Sequence, residues 1–156
     1  MRPERKSCSG KVVAGIQIRT NNRLEMEADD SRLRGLWERF KDERLADRIP
    51  DKAAGSPVYG VYSEYESGTE GDYSVLAGVE VSDERNVPDD YATLILEAGE
   101  YLVFEAHGPM PEAAAEVWGA AWNYFEREEA PVRAFATDFE VYHPTANTVA
   151  LYVGVK

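Results

Sequence analysis

A single cysteine, Cys8, stands in a chain of 156 residues, which excludes an internal disulfide framework and any metal site built from several thiolates. Histidine is nearly as scarce. His107 and His143 fall at separate predicted strand ends with no metal-ligand spacing around either, so both read as surface or edge residues. A Gly-rich phosphate loop and a Gly-x-Ser-x-Gly elbow are absent, so no motif supplies a catalytic residue or implies a cofactor. No apolar run approaches the roughly 18 residues of a membrane-spanning helix. Residues 1–10 also lack the apolar core of a signal peptide, so a cytoplasmic protein without a membrane partner is the expectation. Positive charge is the remaining shortage: 17 Lys and Arg against 29 Asp and Glu give a net charge of −12. Nucleic-acid binding needs Lys and Arg to replace the counterions on phosphates, so direct contact with nucleic acid is excluded. The bases that do cluster are Arg2, Arg5, Lys6 and Lys11, and residues 12–156 carry only 13 bases against 28 acids. That acidic surface confers solubility and, given a site, favours cationic ligands.

What is present is the material of one globular domain. The hydrophobic share is 44%, and a chain of this length buries most of what a single core can hold. Residues 1–10 read as a flexible arm outside the fold, leaving 11–156 as the domain. Val12–Arg19 is a β-rich run ending at the turn-prone Thr20-Asn21-Asn22. Leu33, Leu36, Trp37 and Phe40 then recur at helical spacing, with Asp29, Asp30 and Ser31 as N-cap candidates and Pro50 beyond the end. Pro57 introduces two strand-like runs, VYGVYSEYES and DYSVLAGVEVS, joined by a glycine-rich turn, and the polar stretch Asp83–Asp90 suits a linker. The order then repeats. Glu100–His107 reads as a strand, and Pro111 opens a helix carrying Ala114, Val117, Trp118, Ala121, Trp122 and Phe125. Arg133–Tyr142 and Thr148–Lys156 form another hairpin across a turn at His143–Asn147. Local echoes support a duplication, with Leu36-Trp37-x-x-Phe40 against Ala121-Trp122-x-x-Phe125 and Tyr62–Tyr65 against Phe139–Tyr142. The expected fold is therefore α+β: tandem βαββ units at about 11–82 and 92–156, related by a pseudo-two-fold axis. Two helices would cover one face of an antiparallel sheet, with a central cleft at the seam.

The segment Ala134–Tyr142 carries the chemical interest. With period-2 alternation, Phe135, Thr137, Phe139 and Val141 share one face, the one expected beneath the helices, and Ala136, Asp138, Glu140 and Tyr142 share the other. By the repeat, Tyr59, Val61, Ser63 and Tyr65 take the matching face of the first unit. A cavity walled by Tyr rings with Glu140 inside would select flat lipophilic cations, because aromatic faces attract organic cations and a desolvated carboxylate recruits a counter-charge or a proton. The competing reading is an ordinary solvated face. Trp37, Trp118 and Trp122 sit at spacings that equally suit a core, although Trp118 and Trp122 are helix neighbours, so that one could pack while the other reaches the cavity rim.

Taken in order, VVAGIQIRTNN, VYGVYSEYES…GDYSVLAGVEV, GEYLVF with His107-Gly108-Pro109, VWGAAWNYFE and TDFEVYHP…LYVGVK resemble the gyrase-inhibitor-like (GyrI-like) family over residues 11–156. This is the effector-binding domain of some AraC-type and multidrug-responsive transcription activators, with stand-alone versions among integron cassette proteins. The resemblance implies a duplicated βαββ fold whose cleft binds small amphipathic or cationic molecules. It also implies a charged anchor on the penultimate strand within an Asp-Phe-Glu-x-Tyr motif, here Glu140. Tyr142, Tyr59, Tyr65, Trp118 and Trp122 are the further candidate ligand contacts. Ten residues ahead of the domain are too few for a helix-turn-helix, so the expectation is a stand-alone module that senses or sequesters its ligand. Two alternatives stay open: a hydrolase of reactive small molecules with Glu140 as general base, and a protein-interaction role such as gyrase inhibition. Edge strands of such a sheet also permit a homodimer.

Overall fold

The computed structural model describes residues 2–26, 31–68, 70–143 and 147–156. Its strands are β1 (Glu4–Cys8), β2 (Lys11–Thr20), β3 (Val58–Ser63), β4 (Tyr73–Glu80), β5 (Ala92–Leu96), β6 (Gly99–His107), β7 (Arg133–His143) and β8 (Thr148–Val155). Helices α1 (Asn22–Met26), α2 (Arg32–Asp42) and α3 (Leu45–Arg48) lie between β2 and β3, and α4 (Glu112–Phe125) lies between β6 and β7. All eight strands join one antiparallel sheet in the order β1-β6-β8-β7-β3-β4-β2-β5.

That order is symmetric about the β7–β3 pair: β8 answers β4, β6 answers β2 and β1 answers β5. The duplication is therefore real, and each repeat gains one strand, reading ββαββ. The first strand of each repeat pairs with the second strand of the other, β1 on β6 and β5 on β2. Two expectations change here. Residues 4–8 belong to the sheet rather than to an arm outside it, and β5 was not among the expected elements. Both are edge strands held mainly by backbone hydrogen bonds, which any non-proline sequence can supply. The polar, mostly exposed side chains of β1 give little hydropathy signal, whereas β5 is a short apolar run of five residues, Ala92–Leu96, that ends on the buried Leu96.

The helices pack as the apolar stripes predict. Ser31 caps α2, accepting from Arg34 N at 3.3 Å. The Glu25 carboxylate adds to the cap by accepting from the backbone N–H groups of Arg32 and Leu33, each at 3.1 Å. Leu36 and Phe40 of α2 and Leu45 of α3 bury against Ile16, Val75, Ala77 and Val79 of β2 and β4. Ala113, Val117 and Ala121 of α4 bury against Phe104 of β6 and Val149, Leu151 and Val153 of β8. The Asp29 and Asp30 cap candidates and the middle of the 143–147 turn lie outside the described residues.

The other face of the sheet is buried too. Val13, Tyr59, Val61, Leu76, Leu96, Tyr101, Phe139 and Val141 form a third core with no helical member. The sheet curls, and residues from both edges and the centre meet there. This reverses an expectation: Phe139 and Val141 lie away from the helices, and Asp138, Glu140 and Tyr142 face them. Alternation identifies which residues share a face, but with apolar residues on both sides it cannot say which face the helices cover.

Candidate functional site

The seam between the halves lies where β3 and β7 pair and where α2 and α4 flank the sheet. Cross-strand register places Gly60 opposite Glu140, Tyr62 opposite Asp138 and Val58 opposite Tyr142. Directly opposed residues point to the same face, so Tyr62, Glu140 and Tyr142 converge beneath the helices.

Glu140 is 2% exposed, and among the described residues each of its hydrogen bonds comes from an aromatic donor. Trp118 Nε1 of α4 donates to Oε2 at 2.6 Å, Tyr62 Oη donates to Oε2 at 3.3 Å, and Tyr142 Oη donates to Oε1 at 2.9 Å. Among the described residues no cation forms an ion pair with it. Burial pushes the Glu140 carboxyl above its usual range, and the Trp118, Tyr142 and Tyr62 hydrogen bonds partly offset that by favouring the carboxylate. Burial, reinforced by the adjacent carboxylate, raises the Tyr62 and Tyr142 phenols well above their ordinary value. Both therefore stay protonated as donors.

The rings around the carboxylate are themselves pseudo-symmetric. Trp118 of the second half meets Tyr62 of the first, with centroids 4.9 Å apart in an edge arrangement. Trp37 of the first half meets Tyr142 of the second at 5.3 Å. Trp37 therefore corresponds to Trp118, whereas the sequence echo had matched it to Trp122. What breaks the symmetry is the Gly60–Glu140 pair. A Cβ on Gly60 would stand 2.5 Å from Glu140 Oε1 and 3.0 Å from Trp37 Cζ2, so the glycine vacates the space the carboxylate occupies.

Beside this centre opens a cleft of about 310 Å³, lined by Tyr62, Tyr65, Tyr73, Trp118, Trp122, Phe135, Arg133, Leu33 and Glu25 among others. Trp122, 44% exposed, stands beside Trp118 at 6.2 Å between centroids and forms part of the wall. Tyr65 reaches the cleft because Glu64 adopts a left-handed φ of 54°, which breaks the strict alternation after β3. The second acid of the motif is placed differently from Glu140. Asp138 is fully buried, but it is paired with Arg133 Nη2 at 2.7 Å and accepts from Tyr65 Oη at 2.5 Å and Gly154 N at 2.8 Å. Its charge is matched by Arg133, and that of Glu140 is matched by no described residue.

Of the expected contacts, the structure thus brings together Glu140, Tyr142, Tyr65, Trp118 and Trp122. Tyr59 does not join them. It lies on the opposite face, tilted against Phe139 at 6.1 Å, because the first-unit strand is shifted by an odd number of residues from the alignment drawn from the repeat. Tyr62, Trp37 and Gly60 were not anticipated. A pairing register with Gly60 across from Glu140 would have found Gly60 and Tyr62, whereas Trp37 enters through the packing of α2 against Tyr142. Among the described residues there is no acidic, His or Cys cluster able to hold a metal, and no helix long and apolar enough to cross a membrane.

Comparison with known proteins bears on this geometry. The profile of a family described as integron-associated effector binding protein, Cass2, matches residues 7–155. The chain is 30% identical over 152 residues to YobU of Bacillus subtilis (strain 168), a candidate transcriptional regulator, covering 94% of this chain and 92% of that one. The crystal structure of the integron cassette protein VCH_CASS2 of Vibrio cholerae superposes with a TM-score of 0.84 at 32% identity, over 99% of this chain and 96% of that one. The structure of SAV2435 bound to tetraphenylphosphonium superposes with a TM-score of 0.82 at 20% identity, over 100% and 94% of the two chains, and so shares the fold.

Proposed function

The chain belongs to the family of integron-associated effector-binding proteins, and from that premise we propose that it binds lipophilic aromatic cations in the cleft between α2 and α4. Glu140 supplies the counter-charge, held by the Tyr142 hydroxyl among its donors, and Trp118, Tyr62, Tyr65 and the rim residue Trp122 supply the walls. The observation that carries the reading is a carboxylate buried to 2% exposure, with three aromatic hydrogen-bond donors and no ion-pair partner among the described residues.

An ionised carboxylate in such a place is costly unless something compensates it. A protein selected for stability alone would fill the position with an apolar residue or pair it, as it pairs Asp138 with Arg133. An organic cation arriving against the rings compensates the charge in a desolvated setting, where each ring face adds roughly 0.5–2 kcal/mol. The binding of tetraphenylphosphonium by SAV2435, a protein of the same fold, supports the ligand class.

The test uses two probes of nearly one shape and opposite charge, tetraphenylphosphonium and tetraphenylborate, with tryptophan fluorescence as the readout. The expected result is saturable quenching by the cation and none by the anion. Glu140→Gln should weaken the cation roughly tenfold or more, the scale of one charge-assisted contact in a desolvated site. Equal binding of the two probes, or a Glu140→Gln variant as tight as the parent, would sink the counter-charge role.

A further inference from the structure

Arg133, at the start of β7, is built into the cleft wall with most of its N–H donors unbonded to any other described residue. Its side chain is 10% exposed, and the guanidinium stacks on the Phe135 ring at 4.3 Å from the centroid, with the Phe125 ring at 5.9 Å. A guanidinium carries five N–H donors in a rigid fork. Among the described residues a single bond, from Nη2 to Asp138 Oδ2, is made, and Nε is buried without an acceptor. Leaving a buried donor unsatisfied costs about 1–3 kcal/mol, so a group held this way invites an acceptor from outside the protein. The local backbone is bent to make the arrangement. The β7–β8 register shifts between Arg133 and Asp138, and Phe135 adopts a left-handed φ of 52°, which brings the arginine and its stacking ring to the same cleft.

We infer that the cleft is a two-ended site whose preferred ligands are zwitterionic aromatics, with a cationic ring system toward Glu140 and a carboxylate or similar acceptor on the free N–H groups of Arg133. The inference rests on the cation-cleft reading above and adds the second ligand group. Asp138, the partner of Arg133, and Glu140 are two residues apart on one face of a strand, about 7 Å along its axis. One fused aromatic system spans that interval. Asp138 already balances the arginine charge, so the ligand acceptor gains hydrogen bonds in a planar, pre-organised fork without displacing the internal pair. A purely cationic ligand leaves that fork unfilled.

The test compares rhodamine 123 and rhodamine 110, a methyl ester and the corresponding free carboxylate on the same cationic tricycle, by fluorescence anisotropy at neutral pH. The parent protein is expected to bind the carboxylate roughly tenfold more tightly than the ester, the size of one charge-assisted hydrogen bond. In the double variant Arg133→Met/Asp138→Asn, which removes the pair without stranding a charge, the preference should fall to about one. If the double variant does not fold, Arg133→Lys keeps a cation beside Asp138 but withdraws the fork, and the preference should fall there as well. An ester bound as tightly as the carboxylate by the parent, or a preference that survives in the variants, overturns this inference alone. Binding of neither dye would overturn the cation-cleft reading with it.

Discussion

Gly60 and Glu140 face each other across the central strand pair, and the room for one is the missing side chain of the other. Gly60→Ala places a methyl 2.5 Å from Oε1, a separation that real Cβ atoms do not tolerate, and the carboxylate must turn away from Tyr142 and Trp118. Overpacking of this kind costs roughly 1–3 kcal/mol. For a domain of this size that is a fall in Tm of about 2–4 °C per kcal/mol, measurable by calorimetry, and cation affinity should fall with it. Glu140 itself leaves a signature in the pH dependence of stability. Its pKa is raised in the folded state chiefly by burial, so on raising the pH the unfolded chain gives up this proton first. The contribution is favourable below the ordinary glutamate range and is lost as pH rises through the raised folded value. Denaturation midpoints of the parent should therefore decline across that window relative to those of Glu140→Gln, which has no proton to lose there. A difference between the two proteins that is flat with pH would show that Glu140 is not desolvated in solution.

Among the elements, α4 matters most to the site, because it delivers Trp118 Nε1 to the carboxylate at 2.6 Å. Trp118→Phe keeps a ring in contact with Tyr62 and removes only the donor. The Glu140 pKa should rise further, since that hydrogen bond is the largest influence opposing desolvation. Cation binding, which needs the carboxylate, should then weaken on the acid side and recover toward higher pH. A pH profile of affinity identical to the parent's would contradict the assigned bond. Both long helices were legible from their apolar stripes, because 3.6-residue periodicity survives wherever one face of a helix meets a core. The hairpins and their duplication were legible from turn chemistry. Phase and facing were harder to read. β3 and β7 are buried on both faces, so alternation placed Glu140 with Asp138 and Tyr142 but put them on the wrong side of the sheet, and it selected Tyr59 where the register selects Tyr62. The left-handed residues Glu64 and Phe135 interrupt the alternation at positions where no glycine marks the break. The motif carried Glu140, but the space for it belongs to Gly60, across the pair and 80 positions away in the sequence.

At the scale of the whole molecule, the repeats are joined by the exposed segment around Glu84–Asn86 and by three strand pairings: β1 on β6, β5 on β2, and β3 on β7. The exchange of first strands means that neither repeat contains its own complete sheet. The site is divided in the same way, with Trp37, Gly60 and Tyr62 from one half and Trp118, Glu140 and Tyr142 from the other. A chain cut by a protease site inserted between residues 84 and 90 should therefore stay together as a single folded species on size exclusion. Its Tm should become dependent on protein concentration, because closure of the sheet has turned from an intramolecular step into an association. Tetraphenylphosphonium should raise that Tm, since ligand binds only the associated form. Fragments that separate under native conditions, or one fragment that binds the cation alone, would mean that each repeat folds and functions by itself, against both the strand exchange and the shared site.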